Sequence, residues 1–214
     1  REEAVELFKV KGTEIMELFS IANKIREKYC GNTIHTCTIT NAKSGKCSED
    51  CKFCAQSAYY ETGIDTYEMK ECNSLLEEYN KSCEIGSDKF GVVTSGKSVE
   101  KGSSEYDTLL EFLDRTKGVS EPCFSTGKLT YEEAVELKSR GLTRYHSNIQ
   151  TSVESYSEIV ATTHTVEDRI ESIKNAKKAG LEVCCGGIIG MGESYSDRVS
   201  MAFTIKELDI ECLP

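Results

Sequence analysis

From residue 33 onward the chain runs through five rounds of strand then helix, and this alternation constrains its fold more than any other feature. A β-rich run over 33–40 is followed by a loop over 41–57. The pattern then predicts helix over 69–86, strand over 89–95, helix over 106–117, and strand over 119–124. It continues with helix over 131–140, strand over 144–150, helix over 166–179, strand over 181–189 and helix over 196–207, and 210–213 begins a sixth strand. Gly141 and Gly180 stand where helices end, as glycine does at a C-cap. Such a chain builds a parallel sheet with right-handed crossovers. A doubly wound open sheet and a TIM-type (β/α) barrel both meet that requirement. Small or polar residues recur at the strand C-terminal ends (Thr40, Ser95, Ser125, Asn148, Gly190), and no early phosphate-binding glycine fingerprint occurs, which favours the barrel. The expected fold is therefore α/β, a TIM-type (β/α) barrel truncated after about six strands, because the chain stops at Pro214 within a strand pattern. Ahead of it, Val5, Phe8, Ile15, Leu18, Ile21, Ala22 and Ile25 fall at helical intervals, in two pieces broken near Gly12. The expected division is an N-terminal helical segment over 1–30 and a barrel over 31–214 without its C-terminal strands.

Composition narrows the function classes. A hydrophobic content of 38% with 29% charged residues reads as a soluble globular chain. No apolar run approaches the roughly 18 residues that span a bilayer, and the polar N-terminus does not read as a secretory signal. A net charge of −10 argues against a general nucleic-acid or anionic-membrane surface. The cysteine count of 11 is high and odd, in a chain too long for a disulfide miniature; cytosolic cysteine excess more often serves metal or redox chemistry.

Three of these cysteines lie within one loop, Cys47-Ser-Glu-Asp-Cys51-Lys-Phe-Cys54. Thiolates are the usual ligands of iron–sulfur clusters, and this spacing lets one loop hold three corners of a 4Fe–4S cube. The fourth iron is then open to a substrate, as open metal sites are in general. A structural zinc site is the competing reading, but it normally uses four closed ligands in paired knuckles; Cys72 and Cys83 are too far apart on a helix to be the second pair.

A Cys-x3-Cys-x2-Cys loop after the first strand of a barrel resembles the radical S-adenosylmethionine superfamily. Within it, the wider sequence is similar to the biotin synthase family, from about Thr38 to Pro214. The likeness is carried by Asn41-Ala-Lys-Ser-Gly and Cys47 through Ser57, then by Tyr145-His-Ser-Asn148-Ile-Gln-Thr-Ser152. Thr162-Thr-His-Thr165 with Glu167-Asp-Arg169, and Val183-Cys-Cys-Gly-Gly-Ile-Ile-Gly190-Met-Gly-Glu193, extend it. The resemblance implies a 4Fe–4S cluster on Cys47, Cys51 and Cys54 whose open iron is chelated by S-adenosylmethionine. Reductive cleavage then gives a 5′-deoxyadenosyl radical that abstracts hydrogen from dethiobiotin. It also implies cofactor contacts at Phe53, Ser95, Asn148, Gln150, Arg169, Gly186 and Ile188, with Gly187 beside them. Arg169 matches the arginine that pairs with the S-adenosylmethionine carboxylate, a good use of a bidentate guanidinium. The family commonly has a carboxylate in the place of Gln150, and His146 occupies a substrate-facing position.

The family carries a second cluster deeper in the barrel, the source of the inserted sulfur. By resemblance its catalytic ligands include Cys123 and Cys184; the second-strand ligand is absent, with Gly91 in its place. An arginine ligand of the family would fall beyond Pro214. Cys37, on the neighbouring first strand, is the expected substitute, with room left beside it by Gly91, and Cys185 is a lesser candidate. Cys184 and Cys185 should point to opposite faces of their strand. Cys30, Cys72, Cys83 and Cys212 have no motif around them. The resemblance further implies a flavodoxin- or ferredoxin-type electron donor, a homodimer and a cytoplasmic location. Two other readings compete with sulfur insertion. One is a hydrogenase-maturation or methylornithine-synthase type of the same superfamily, favoured by Gly91 but opposed by the matches over 41–57 and 183–193. The other is a non-catalytic metal-binding module.

Overall fold

Along β2 (Lys89–Thr94), Phe90 and Val92 are buried in the apolar core while Lys89, Gly91 and Val93 turn to the opposite face. The same alternation organises the other strands of the computed structural model, which describes residues 1–116 and 118–214: β1 (Cys37–Lys43), β3 (Glu121–Ser125), β4 (Arg144–His146) and β5 (Glu182–Cys184). The five are parallel and lie in the order β1-β2-β3-β4-β5. An order that never reverses is that of a (β/α) barrel; a doubly wound sheet reverses at a switch point. The sheet is open, and Cys212 bridges in parallel to Cys184 where a sixth strand begins.

One face of the sheet is covered by helices. α3 (Cys72–Glu84) and α4 (Ser104–Arg115) join β2 and β3 in an aromatic cluster of Tyr79, Phe90, Phe112 and Phe124, with centroids 5.6 to 6.2 Å apart. α5 (Tyr131–Ser139), α7 (Val166–Lys178) and α8 (Tyr195–Glu207) each start on a capping box: Thr130 with Glu133, Thr165 with Asp168, and Ser194 with Asp197. These boxes satisfy the free N–H groups of the first turn and fix where each helix leaves the strand ends.

Some boundaries differ from expectation. β1 runs to Lys43, so Thr40 is not a strand end; its side chain is buried and accepts from Lys70 Nζ at 3.1 Å. β4 and β5 are shorter than expected because the register slips between the His146–Cys184 pair and the isolated Gln150–Gly187 bridge, where Gln150 has a φ of 67°. There the amides of both Ile149 and Gln150 donate to the Gly186 carbonyl. A short helix, α6 (Tyr156–Ile159), was not expected. The helix expected over 106–117 ends at Arg115, and Lys117 lies outside the described residues. α1 (Glu2–Leu7) and α2 (Glu14–Cys30) bury no residue, and α1 continues into a stack of Phe8 on Tyr195 of α8 at 5.2 Å.

The register determines which side chains share a level on the inner face. Cys37 pairs with Lys89 and Lys89 with Glu121; Cys123 is two residues further along. Cys123 is level with Arg144 and Arg144 with Glu182; Cys184 is two further again. In an eight-stranded barrel of shear 8 a level plane climbs about one residue per strand, and each layer is filled from alternate strands. Cys37, Cys123 and Cys184 therefore form one layer, from β1, β3 and β5. The same construction puts Lys89, Arg144 and Cys212 in the layer below, and Gly91 and His146 in the layer above.

Candidate metal centre

The cysteine loop hangs over the carboxyl end of the sheet, where barrel enzymes place their chemistry. Ser44 exchanges two backbone hydrogen bonds with Tyr67 (3.0 and 3.1 Å). The Cys47 amide donates to the Gln56 carbonyl at 2.9 Å, and its own carbonyl accepts from Ala58 at 2.8 Å. Just past β2, Ser95 Oγ donates to the Gly45 carbonyl at 2.7 Å, so this expected cofactor contact braces the loop. Cys47 and Cys51 are buried, Cys54 is half-buried, and all three are free thiols. Burial, opposed by the Arg169 charge, pushes the Cys51 thiol up to about 11. Among the described residues no three His, Cys, Asp or Glu side chains converge on a single-ion site. A cubane asks for something different: it presents its irons at separate corners, so its thiolates surround a volume rather than a point.

Two carboxylates inside the loop tie it to the segment before α7. Asp50 accepts from the amides of Thr162 (2.8 Å) and Thr163 (3.1 Å) and from both threonine hydroxyls. These bonds hold its carboxyl well below the usual carboxylate range, the Thr162 hydroxyl most of all. Glu49 is buried; its Oε2 lies 2.7 Å from His164 Nδ1 and 2.8 Å from Thr163 Oγ1, whose single proton it shares with Asp50. His164 Nε2 is approached by the Tyr156 hydroxyl at 2.9 Å and by Arg169 Nη2 at 3.2 Å. This network assigns the proton to Nδ1, which donates to Glu49, while Nε2 accepts. Burial, with the Arg169 charge adding to it, lowers the His164 pKa and keeps the ring neutral in that role. The Thr165–Asp168 capping box fixes the turn from which Arg169 extends.

Arg169 Nε and Gln150 Oε1 are among the buried polar atoms without a partner. An orphaned guanidinium nitrogen is a donor kept for an anion, so the structure fits the carboxylate end of S-adenosylmethionine. Asn148 Oδ1 accepts from the Gly186 amide at 2.8 Å, which joins β4 to β5 at the rim. At Gly187 a Cβ would run into Met201 Sδ and the Gln150 carbonyl, so backbone is closely approached here. The Ile188 amide donates to the Gln150 carbonyl at 2.9 Å. Phe53 stands at the loop's rim, 40% exposed. His146 Nδ1 lies 3.0 Å from Ser125 Oγ on the inner face.

Below the loop, the inner face carries Cys37, Cys123 and Cys184 in one layer, and burial pushes both Cys123 and Cys184 up to about 12. Cys185 points the other way, fully buried among core side chains, so the opposite-face expectation holds and Cys185 is not a donor to the interior. The residue level with Gly91 is Ile39, not Cys37; a Cβ at 91 would meet Ile39 Cγ1 at 3.4 Å, which corrects the expected neighbour. Sequence reasoning missed the Glu49–His164–Tyr156 network and Cys212. The only signal for the first was the quoted Thr-Thr-His-Thr motif, to which no role attached.

A parallel sheet in barrel order, with a thiolate loop and an anion-ready arginine at the carboxyl ends of its strands, defines a (β/α)-barrel protein of the iron–sulfur cofactor class. Residues 42–205 match the family model of the Radical SAM superfamily, and the chain belongs to that superfamily. It is 48% identical over 206 residues to a biotin synthase of Clostridium botulinum (strain Loch Maree / Type A3), covering 94% of this chain and 63% of that protein. It is 47% identical over 215 residues to a biotin synthase of Acetivibrio thermocellus, covering 100% and 66%. The chain thus spans just under two thirds of the length of these curated relatives. Among solved structures it resembles methylornithine synthase (PylB), with a TM-score of 0.82 at 16% identity over 99% of this chain and 62% of that one. It also resembles HydG, a maturase of the [FeFe]-hydrogenase, at 0.79 and 19% over 97% and 47%. These two likenesses bear on the fold alone. Among the described residues no helix is long and apolar enough to cross a membrane.

Proposed function

We propose that this chain is the greater part of a radical S-adenosylmethionine sulfurtransferase that converts dethiobiotin to biotin. The observation that carries this reading is two separate groups of cysteines: Cys47, Cys51 and Cys54 in one loop after β1, and Cys37, Cys123 and Cys184 in one layer of the inner face. The identity of 43–48% to biotin synthases, spread over nearly the whole chain, supports it. The upper loop would hold a 4Fe–4S cluster with one iron open. When bound, that cluster and S-adenosylmethionine supply one-electron cleavage to a 5′-deoxyadenosyl radical for hydrogen abstraction, and the lower cluster supplies sulfur.

The protein's own part is placement. Arg169 offers Nε to the carboxylate, and His164, fixed by Glu49, holds the guanidinium from its other side. Asn148 and Gln150 border the space between the two sites, with Gly186 and Ile188 leaving backbone open to the adenine. Phe53 flanks the loop, and Cys123 and Cys184, with Cys37, hold the lower cluster. Residues 1–30 are read as a helical segment on the outside of a barrel that begins near residue 31. An electron donor of flavodoxin or ferredoxin type, a homodimer and a cytoplasmic location complete the proposal.

The test is anaerobic incubation of the reconstituted holoprotein with S-adenosylmethionine, reductant and dethiobiotin. Production of 5′-deoxyadenosine and biotin is expected. Deoxyadenosine without biotin would discard the substrate and favour the methylornithine-synthase or hydrogenase-maturase type, to which Gly91 points. Neither product, from a colourless protein, would leave only a structural metal module.

A further inference from the structure

The inner face carries one more thiol than the motifs assign. Cys212 lies beside Cys184: the Cys185 amide donates to the Cys212 carbonyl at 3.0 Å, and the Cys212 amide donates to the Val183 carbonyl at 3.2 Å. Parallel neighbours at equal register present their side chains to the same face. Cys212 therefore turns inward with Cys184, while Cys185 goes to the core. The register puts Cys212 in the layer adjoining Cys37, Cys123 and Cys184, together with Lys89 and Arg144. Arg144 Nη1 lies 3.7 Å from Cys212 Sγ, and the same guanidinium is steadied by Glu182 through Nε (3.2 Å) and Nη2 (3.1 Å). By register four thiols turn to the inner face in adjoining layers, Cys37, Cys123 and Cys184 with Cys212 below them, and Lys89 and Arg144 lie beside Cys212, themselves paired with Glu121 and Glu182. A thiolate-bound cluster is anionic, and an anion in a protein interior requires paired charge. At the place where β2 would supply a donor there is only Gly91.

We propose that Cys212 is the fourth protein donor to the lower iron–sulfur cluster, completing Cys37, Cys123 and Cys184, with Arg144 positioning its thiolate. Four cysteines are the ordinary complement of either a 2Fe–2S or a 4Fe–4S cluster; Cys37 stands in for the donor missing at Gly91, and Cys212 supplies the fourth. The assignment rests on the two-cluster reading above.

The experiment isolates the lower site by replacing Cys47, Cys51 and Cys54 together with alanine in the holoprotein. This parent is reconstituted without air, and iron, acid-labile sulfide and the Mössbauer spectrum are measured. The parent is expected to keep iron and sulfide, and adding Cys212→Ala is expected to lower both as far as adding Cys123→Ala does. Cys83→Ala, on α3 outside the barrel interior, is expected to change neither. Far-ultraviolet circular dichroism of the metal-free variants checks folding. Should Cys212→Ala misfold, Cys212→Ser decides: a hard oxygen donor at one iron shifts its Mössbauer parameters, and an unshifted spectrum refutes the assignment. Equal iron and an identical spectrum in Cys212→Ala and its parent would overturn the role of Cys212 and leave the lower cluster standing. A parent that binds no iron would remove the lower cluster itself.

Discussion

Arg169 is held on one side by His164 and keeps Nε buried and unpaired on the other. A hydrogen bond between charged partners contributes about 1.5–3 kcal/mol, so Arg169→Ala is expected to weaken S-adenosylmethionine binding by roughly 10- to 100-fold. Iron content should stay unchanged, and equilibrium dialysis against the anaerobic holoprotein measures both. Arg169→Lys should recover little, because an ammonium lacks the planar fork. Glu49→Gln keeps the shape of its carboxyl but gives up the charge that accepts from His164 Nδ1. It is expected to loosen the arginine with a smaller rise in Kd, and an unchanged Kd would remove Glu49 from the positioning chain. The cysteine loop was legible in the sequence because its three cysteines fall within eight residues. The Glu49–His164 pair was not, since its partners are 115 residues apart and meet only after folding.

α8 shows how an element's cap reaches the site. Asp197 closes the capping box with Ser194 and also accepts from Ser152 Oγ and Ser155 Oγ at 2.6 Å, joining the helix to the segment that follows Gln150. Asp197→Ala is expected to cost about 1 kcal/mol, a fall of about 2–4 °C in Tm for a chain of this size, read by thermal unfolding of the metal-free protein. The hydroxyls of Ser152, Ser155 and Ser194 hold the Asp197 carboxyl well below its ordinary range. A carboxyl whose folded pKa is depressed stabilises fully above its unfolded value, near 3.9, and loses that stabilisation as pH falls toward the folded value. Tm should therefore drop below about pH 4, and Asp197→Asn should flatten that slope; an unaltered slope would exclude Asp197 as a contributor. These helices were legible from their apolar spacing, a local signal, whereas the capping boxes that start them became apparent only in the structure. The ends of β4 and β5 were not legible, because they depend on a register slip and a positive φ at Gln150, where side-chain alternation carries no information.

At the scale of the whole molecule, strand order and layer structure do what no single motif can. The alternation of strands and helices implied a parallel sheet, and the unreversed order makes it a barrel sheet. What the pattern could not contain was the climb of the level plane from strand to strand, which is why Cys37 was expected beside Gly91 but is one layer lower. On the inner face Ile39 of β1 is 66% exposed. Expressed by itself, the 214-residue chain is expected to bind an apolar dye such as ANS and to self-associate, and Ile39→Lys should reduce both. Monomeric sedimentation without dye binding would contradict this. The pairing of Cys184 with Cys212 has a further consequence for handling. Neighbouring strands stand about 4.8 Å apart, within the Cα separation that a disulfide bridges. In metal-free protein exposed to air these two thiols can oxidise one another, stitching the sixth strand to β5 and leaving the interior closed to iron until a reductant reopens it.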